Sequence, residues 1–332
     1  MGTALERLAA KARCEPTLRF TSLAHHLTKE RVWENLGQIP TDSAPGVDGQ
    51  TVTEAKESFG VWIEPMLQSV HRQGYHAPDI RRVYIPKPGK HEKRPLGVPC
   101  VADRALQRST SQVLSAIYEQ DFLPCSFGGR PGRGAHHALA TLHEVIAGRK
   151  VEWVLEADLK NFFGSLSHDW MLRFVEHRVG DPRLISLIRR WLKASVLDDG
   201  DVHASEQGTP QGGSISVLLS NVYLHYVLDL WFERVVKSRL RLRGEALLGA
   251  VHRRLCAVFP VSRGCSSCPE RLVQEIGEVW LDPGADEDPA RRIWSFRSQV
   301  REQAWPSTPG DDLLSGLQCA AVHRKDGIRR MT

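Results

Sequence analysis

GEALLGAVHRRLCAVFPVSRG, running from Gly244 to Gly264, divides the chain in two. After Glu245 it holds no carboxylate, while His252, Arg253, Arg254 and Arg263 make it basic. Upstream of it apolar residues recur in orderly periods. Phe59, Trp62, Ile63, Met66, Leu67 and Val70 fall at three- and four-residue steps and predict one apolar helical face. Downstream no period persists, and Pro260, Pro269, Pro283, Pro289, Pro306 and Pro309 interrupt every candidate element. The boundary falls at about residue 248. The sequence therefore predicts an ordered portion to 248 and a tail, 249–332, without a defined fold.

The 332 residues suffice for two or three subdomains, and 41% hydrophobic with 25% charged residues describes a soluble globular chain. No apolar run reaches bilayer length, and MGTALERLAAKARCEP has no signal-peptide core, so the expectation is a cytoplasmic protein with no membrane partner. A net charge of +5 suits a polyanionic partner or a solvated basic surface equally. Seven cysteines, an odd number, argue against a disulfide framework, and Cys265-Ser-Ser-Cys268 lacks the second pair a zinc site needs.

Four stretches before the boundary can carry chemistry. RRVYIPKPGKHEKRPLGVP predicts two short strands joined by a basic loop, with Arg81, Arg82, Lys87 and Arg94 placed to meet phosphates or, equally, solvent. SFGGRPGRGAHHAL brings four glycines with Arg130 and Arg133 to a helix start, a setting suited to backbone or phosphate contact. In WVLEADLKNFF a short strand, Trp153 to Leu155, leads to Asp158, a candidate Mg²⁺ ligand or a simple N-cap. EQGTPQGGSIS is a small-residue loop with Gln207 and Gln211, close to which a nucleotide or template backbone can pass. A long helical stretch is expected over His168 to Leu197.

In this order the stretches resemble the reverse transcriptases encoded by group II introns, over roughly residues 5 to 248. APGVDG is similar to the motif before the fingers, RRVYIPKPGKHEKRPLGVPCVADRALQ to the first polymerase block, and SFGGRPGRGAHHAL to the second. ADLKNFFGSLSH resembles the third block and QGTPQGGSIS with LLSNVYLHYVLD the fourth. Val217 stands where Pro is usual and Gly164 where Asp is common. The resemblance implies an α+β fold: a right-hand polymerase with an N-terminal helical extension over 1–40, and fingers and a partial palm of antiparallel sheet and packed helices over 41–248. It implies that Lys87 and Arg94 contact an incoming triphosphate and that Asp158 is a catalytic, metal-binding palm aspartate. Phe163 would exclude a ribose 2′-OH, Gln211 would lie near the nucleotide sugar, and Arg130 and Arg133 would meet template or backbone, while the basic surface with Arg81 and Arg82 is what a non-catalytic RNA-binding chain would use. The implied reaction is RNA-templated DNA synthesis with two Mg²⁺ ions, on intron or template RNA, a DNA primer and dNTP.

A fifth block, Tyr-x-Asp-Asp on a hairpin, is then required, and the chain does not supply it. Asp198-Asp199 precedes the fourth block, Asp311-Asp312 lies in the Pro-rich tail, and neither follows Tyr-x or has strand context in the sequence. Back-translation offers a cause. Dropping one nucleotide within the Gly249 codon turns the following codons into GNG, CNG, TNC, AYC, GNC, GNC and TNT, which accommodate Val-Arg-Tyr-Ile-Asp-Asp-Phe. The two aspartates arise at the Arg253/Arg254 and Arg254/Leu255 junctions. The shifted frame from about Glu275 to Phe296 also accommodates a segment similar to the family's next palm blocks. The expectation is an out-of-frame product over 249–332, in which the family's thumb and maturase region finds no counterpart. Such a chain is catalytically silent, and the alternative function is a non-catalytic, maturase-like RNA-binding remnant.

Overall fold

The structure, a computed structural model, describes residues 3–86, 89, 91, 93–148, 151–159, 162–164, 166–205, 208–209, 212–236, 247–251, 254–260 and 317–324. For 151–159, 235–236 and the strands beyond 246 the description is of the backbone. The chain divides into two units, Met1–Asp121 with Leu166–Val222, and Phe122–Ser165 with Tyr223–Thr332. The fold is α+β, as the sequence predicts. No helix among the described residues is long and apolar enough to cross a membrane.

The first unit opens with helix α1 (Ala4–Cys14), begun by a capping box in which Thr3 and Glu6 satisfy each other's backbone N–H groups. Helix α2 (Lys29–Gly37) is capped by Thr28, and α3 (Val52–Glu57) by a second capping box, Thr51 with Glu54. Helix α4 (Phe59–His71) buries Ile63, Leu67 and Val70 on one face and ends where Gln73 takes a positive φ before Gly74. Strands β1 (Ile80–Pro86) and β2 (Lys93–Val98) form the predicted hairpin. Helix α5 (Val101–Tyr118) is the core of this unit, with Leu106, Val113, Leu114, Ile117 and Tyr118 fully buried and α1 and α2 packed on it.

The expected helix over His168 to Leu197 is broken into three elements. Helix α7 (His168–Glu176) stops before Gly180, α8 (Pro182–Leu192) restarts after Asp181, and Val196–Asp198 is strand β4. The break follows from Gly180-Asp181-Pro182: Pro is suited to the first helical turn and Asp to the cap. Strand β5 (Asp201–His203) pairs back on β4 across a turn in which Asp199 and Gly200 both have positive φ. Asp198-Asp199 thus sits on a hairpin, contrary to its expected lack of strand context. The sheet order is β2-β1-β4-β5, with β1 parallel to β4 and the other pairs antiparallel.

Asp181 holds this unit together at one point. Its buried carboxylate accepts from the backbone N–H groups of Leu23 (2.7 Å) and Ala24 (2.8 Å) and from Arg183 Nε (2.9 Å). Burial pushes its pKa up, but the hydrogen bonds from Arg183, Leu23 and Ala24 outweigh burial and leave it lowered. Its stabilisation is therefore present above the unfolded carboxyl pKa and is lost as pH falls through the folded value. Asp181→Ala removes the α8 cap and strands two buried N–H groups, and is expected to cost about 3 kcal/mol in denaturant unfolding.

The second unit contains α6 (Ala135–Gly148), strand β3 (Val151–Leu159) and a 3-10 turn, Phe162–Gly164. Helix α9 (Ser216–Leu224) enters it and continues as π-helical His225–Asp229 and Phe232–Val236. Strands β6 (Leu247–Val251), β7 (Arg254–Pro260) and β8 (Leu317–Arg324) complete an antiparallel sheet of order β6-β7-β3-β8. β3 is longer than the predicted Trp153–Leu155 because its backbone finds partners on both sides. β7, β8 and most of β6 lie in the segment predicted to have no defined fold. Apolar runs as short as LCAVFP suffice for strand pairing but fall below the window in which periodicity is legible. The other residues of 249–332, including Cys265 and Cys268, lie outside the described residues.

Candidate nucleotide and template site

In the first unit the β1–β2 register decides which basic residues share a face. Arg81 pairs with Val98, Arg82 with Gly97 and Ile85 with Arg94. Side chains alternate along a strand and directly paired residues share a face, so Arg81 and Arg94 lie on one side and Arg82 on the other. Arg94 is exposed, as a phosphate contact requires. Arg82 is engaged elsewhere: its Nη1 donates to Asp198 Oδ2 at 3.2 Å, and Tyr84 Oη donates to the same oxygen at 2.8 Å. The Tyr84 hydroxyl leads the causes that lower the Asp198 pKa, ahead of Arg82. Lys87 and Gln211 lie outside the described residues.

The small-residue loop is nevertheless anchored on both sides of Gln211. Gly208 donates its N–H to Leu166 O at 2.7 Å, and its own carbonyl meets His168 Nε2 at 2.6 Å. Gly212 has φ +121°, and a Cβ there would stand 2.4 Å from Gly97 O. Only glycine permits that backbone to lie against β2, three residues along from Arg94. The sequence singled out Gln211; it gave no sign that Gly212 is what brings the loop to the hairpin.

In the second unit the glycine-rich loop folds around its own arginines. Arg130 is 8% exposed, and its Nη1 donates to Leu123 O (3.0 Å) and Ser126 O (2.9 Å) while the guanidinium covers the Phe122 ring at 5.1 Å. Burial pushes the neighbouring Asp229 carboxyl up to about 7, and the Arg130 charge acts in the opposite direction. Arg130 thus lies inside the loop rather than on a surface open to a template. Arg133 is exposed, with Nη1 donating to Pro124 O at 2.8 Å and its guanidinium 5.5 Å from the Phe127 ring.

Asp158 lies near the end of β3, opposite Arg254 on β7 and Gln318 on β8. Glu156, two residues back on the same strand, pairs with Cys256 on β7. Phe163 follows in the 3-10 turn, half-buried, its ring 5.1 Å from that of Phe162. β6 and β7 form a hairpin in which Val251 pairs with Arg254. Its Val251–Arg254 end falls opposite Asp158 in register; His252 and Arg253 lie outside the described residues. A pair of Mg²⁺ ions needs several oxygen ligands around it. The residues paired with Asp158 in the sheet, Arg254 and Gln318, are not carboxylates.

Residues 85–244 match the family described as reverse transcriptase (RNA-dependent DNA polymerase). The chain is 33% identical over 242 residues to Protein YkfC of Escherichia coli, covering 71% of this chain and 63% of that protein. It is 32% identical over 234 residues to the group II intron-encoded protein LtrA of Lactococcus lactis, covering 68% of this chain and 38% of that protein. This chain carries a reverse transcriptase domain of the group II intron type. A further relative, an uncharacterized 91 kDa protein in a cob intron of Schizosaccharomyces pombe, is 35% identical over 55% of this chain and 22% of its own length. The reverse transcriptase domain thus spans both described units. Of the candidate site residues within it, Arg94 belongs to the first, and Arg130, Arg133, Asp158 and Phe163 to the second. The chain spans less than two thirds of the length of the first of these relatives and of LtrA.

Proposed function

We propose that this chain is a reverse transcriptase domain that binds RNA but does not extend a primer. By its family it is built for RNA-directed DNA synthesis on intron or template RNA, with a DNA primer, dNTP and two Mg²⁺ ions. Lys87 and Arg94 would take the triphosphate, Gln211 and Phe163 the sugar, and Arg81 and Arg133 the RNA. Asp158 would supply one carboxylate to the metals. The observation that carries the silent reading is the register of Asp158 with Arg254. The family's hairpin would bring two more carboxylates to Asp158, and the residue paired with Asp158 here is an arginine.

The shifted frame supports the same conclusion from the nucleotide side. Removing one nucleotide in codon 249 allows aspartates at positions 253 and 254, and position 254 is the one paired with Asp158. Residues 249–332 are then an out-of-frame product that has kept a strand-forming run at the hairpin. RNA binding remains because the basic hairpin lies upstream of the lesion. Titrating a labelled single-stranded RNA at several salt concentrations is expected to give affinity that falls steeply with salt, from counterion release. Binding that is absent, or indifferent to salt, contradicts this function.

A further inference from the structure

We propose that the cleft between the end of α8 and the segment His76–Asp79 is a second seat for an RNA backbone, separate from the β1–β2 hairpin. The cleft measures about 450 Å³ and has small residues such as Ala194 in its wall. Arg189, Arg190 and Lys193 line it, with His76 opposite and Asp79 the one carboxylate among the lining residues.

The charge at this corner is uncompensated. The inner face of α8 is consumed by packing, with Leu184, Ile185, Leu187, Ile188, Trp191 and Leu192 buried. Arg189, Arg190 and Lys193 are exposed and make no ion pair with any described residue. Lys193 follows Arg189 by four residues and Arg190 by three, so the three cations crowd one corner, where like charges repel. A helix C-terminus attracts cations, but its dipole amounts to about half a charge. Three cations against Asp79 and that half-charge leave positive charge over. An open, polar cleft of this size does not suit a small apolar ligand. Two guanidinium forks and an ammonium suit successive phosphates. RNA is the phosphate chain this domain meets, so the assignment rests on the RNA-binding function proposed above.

The test compares the chain with its Arg189→Ala/Arg190→Ala/Lys193→Ala variant, titrated with the same labelled single-stranded RNA over a range of salt. Each phosphate contact to a single strand adds about 0.7 to the slope of log affinity against log salt. The variant is expected to lose about 2 from that slope and roughly 100-fold in affinity at 0.1 M salt. A charge-preserving variant, Arg189→Lys/Arg190→Lys/Lys193→Arg, is expected to keep the slope. All three side chains are exposed, so both variants should unfold at the midpoint of the parent chain. An unchanged slope in the alanine variant, while Arg81→Ala lowers it, overturns the cleft and leaves RNA binding by the hairpin standing. No salt-dependent RNA binding by the parent chain overturns both.

Discussion

Primer extension by this chain, with Mg²⁺, an RNA template, a DNA primer and dNTP, is expected to yield no cDNA above background. The same gene with one nucleotide removed in codon 249 is expected to yield at least about 10⁴-fold more, and Asp158→Ala in that restored protein should return it to background. The reason is local. In the β3–β7 ladder Asp158 pairs with Arg254, and the restored frame is expected to put an aspartate at position 254 and a second at 253. Metal ions stabilise several kcal/mol of charge in a phosphoryl-transfer transition state, and each ~1.4 kcal/mol is tenfold in rate. Losing about 5.5 kcal/mol accounts for the 10⁴. Robust cDNA from the unaltered chain that Asp158→Ala abolishes would refute the silent reading.

The second large effect lies in the core of the first unit. Asp103 is 3% exposed and accepts hydrogen bonds from Tyr75 Oη, from Trp191 Nε1 at 2.8 Å and from Gln107 Nε2 at 2.9 Å. These donors come from the segment before β1, from α8 and from α5 itself, so one carboxyl joins three parts of the unit. Asp103→Leu leaves three buried donors without an acceptor, at about 1–3 kcal/mol each, and is expected to lower unfolding stability by about 4 kcal/mol. Asp103→Asn keeps an acceptor oxygen and should cost about 1 kcal/mol. The pH dependence separates both variants from the parent. Burial raises the Asp103 pKa against the lowering effect of its three hydrogen bonds. A raised carboxyl contributes stability in full below its unfolded pKa and loses it as pH rises through the folded value. The Asn variant, which cannot ionise, should lack that loss. A Leu variant as stable as the parent would remove Asp103 from this role.

What was legible in the sequence was local. The Val, Tyr and Ile of RRVYIPKPG, with Gly and Pro behind them, gave the β1–β2 hairpin, and helical periodicity gave α5 over Val101–Tyr118. What was not legible depended on partners far along the chain. Arg82 is 116 residues from Asp198, and a parallel pairing of β1 with β4 brings them together. That pairing, and the alternation that puts Arg81 and Arg94 on the other face, cannot be seen in a run of basic residues. Arg130 looked free because glycines surround it, yet it folds back on its own loop carbonyls. The break at Asp181 could have been recognised from Gly-Asp-Pro, but its decisive contacts, to Leu23 and Ala24, are some 158 residues away. The strands after residue 246 escaped because each is shorter than the window over which periodicity can be judged.

The central claim is that the catalytic hairpin is built but translated in the wrong frame, and it is tested most directly by the nucleotide sequence encoding residues 240–300. The account predicts that dropping one nucleotide in codon 249 spells Tyr-Ile-Asp-Asp, with the second aspartate at the position paired with Asp158, followed by an open frame through the rest of the palm. If no shifted frame spells it, then His252, Arg253 and Arg254 are the hairpin's own residues, and the frame-lesion account is wrong.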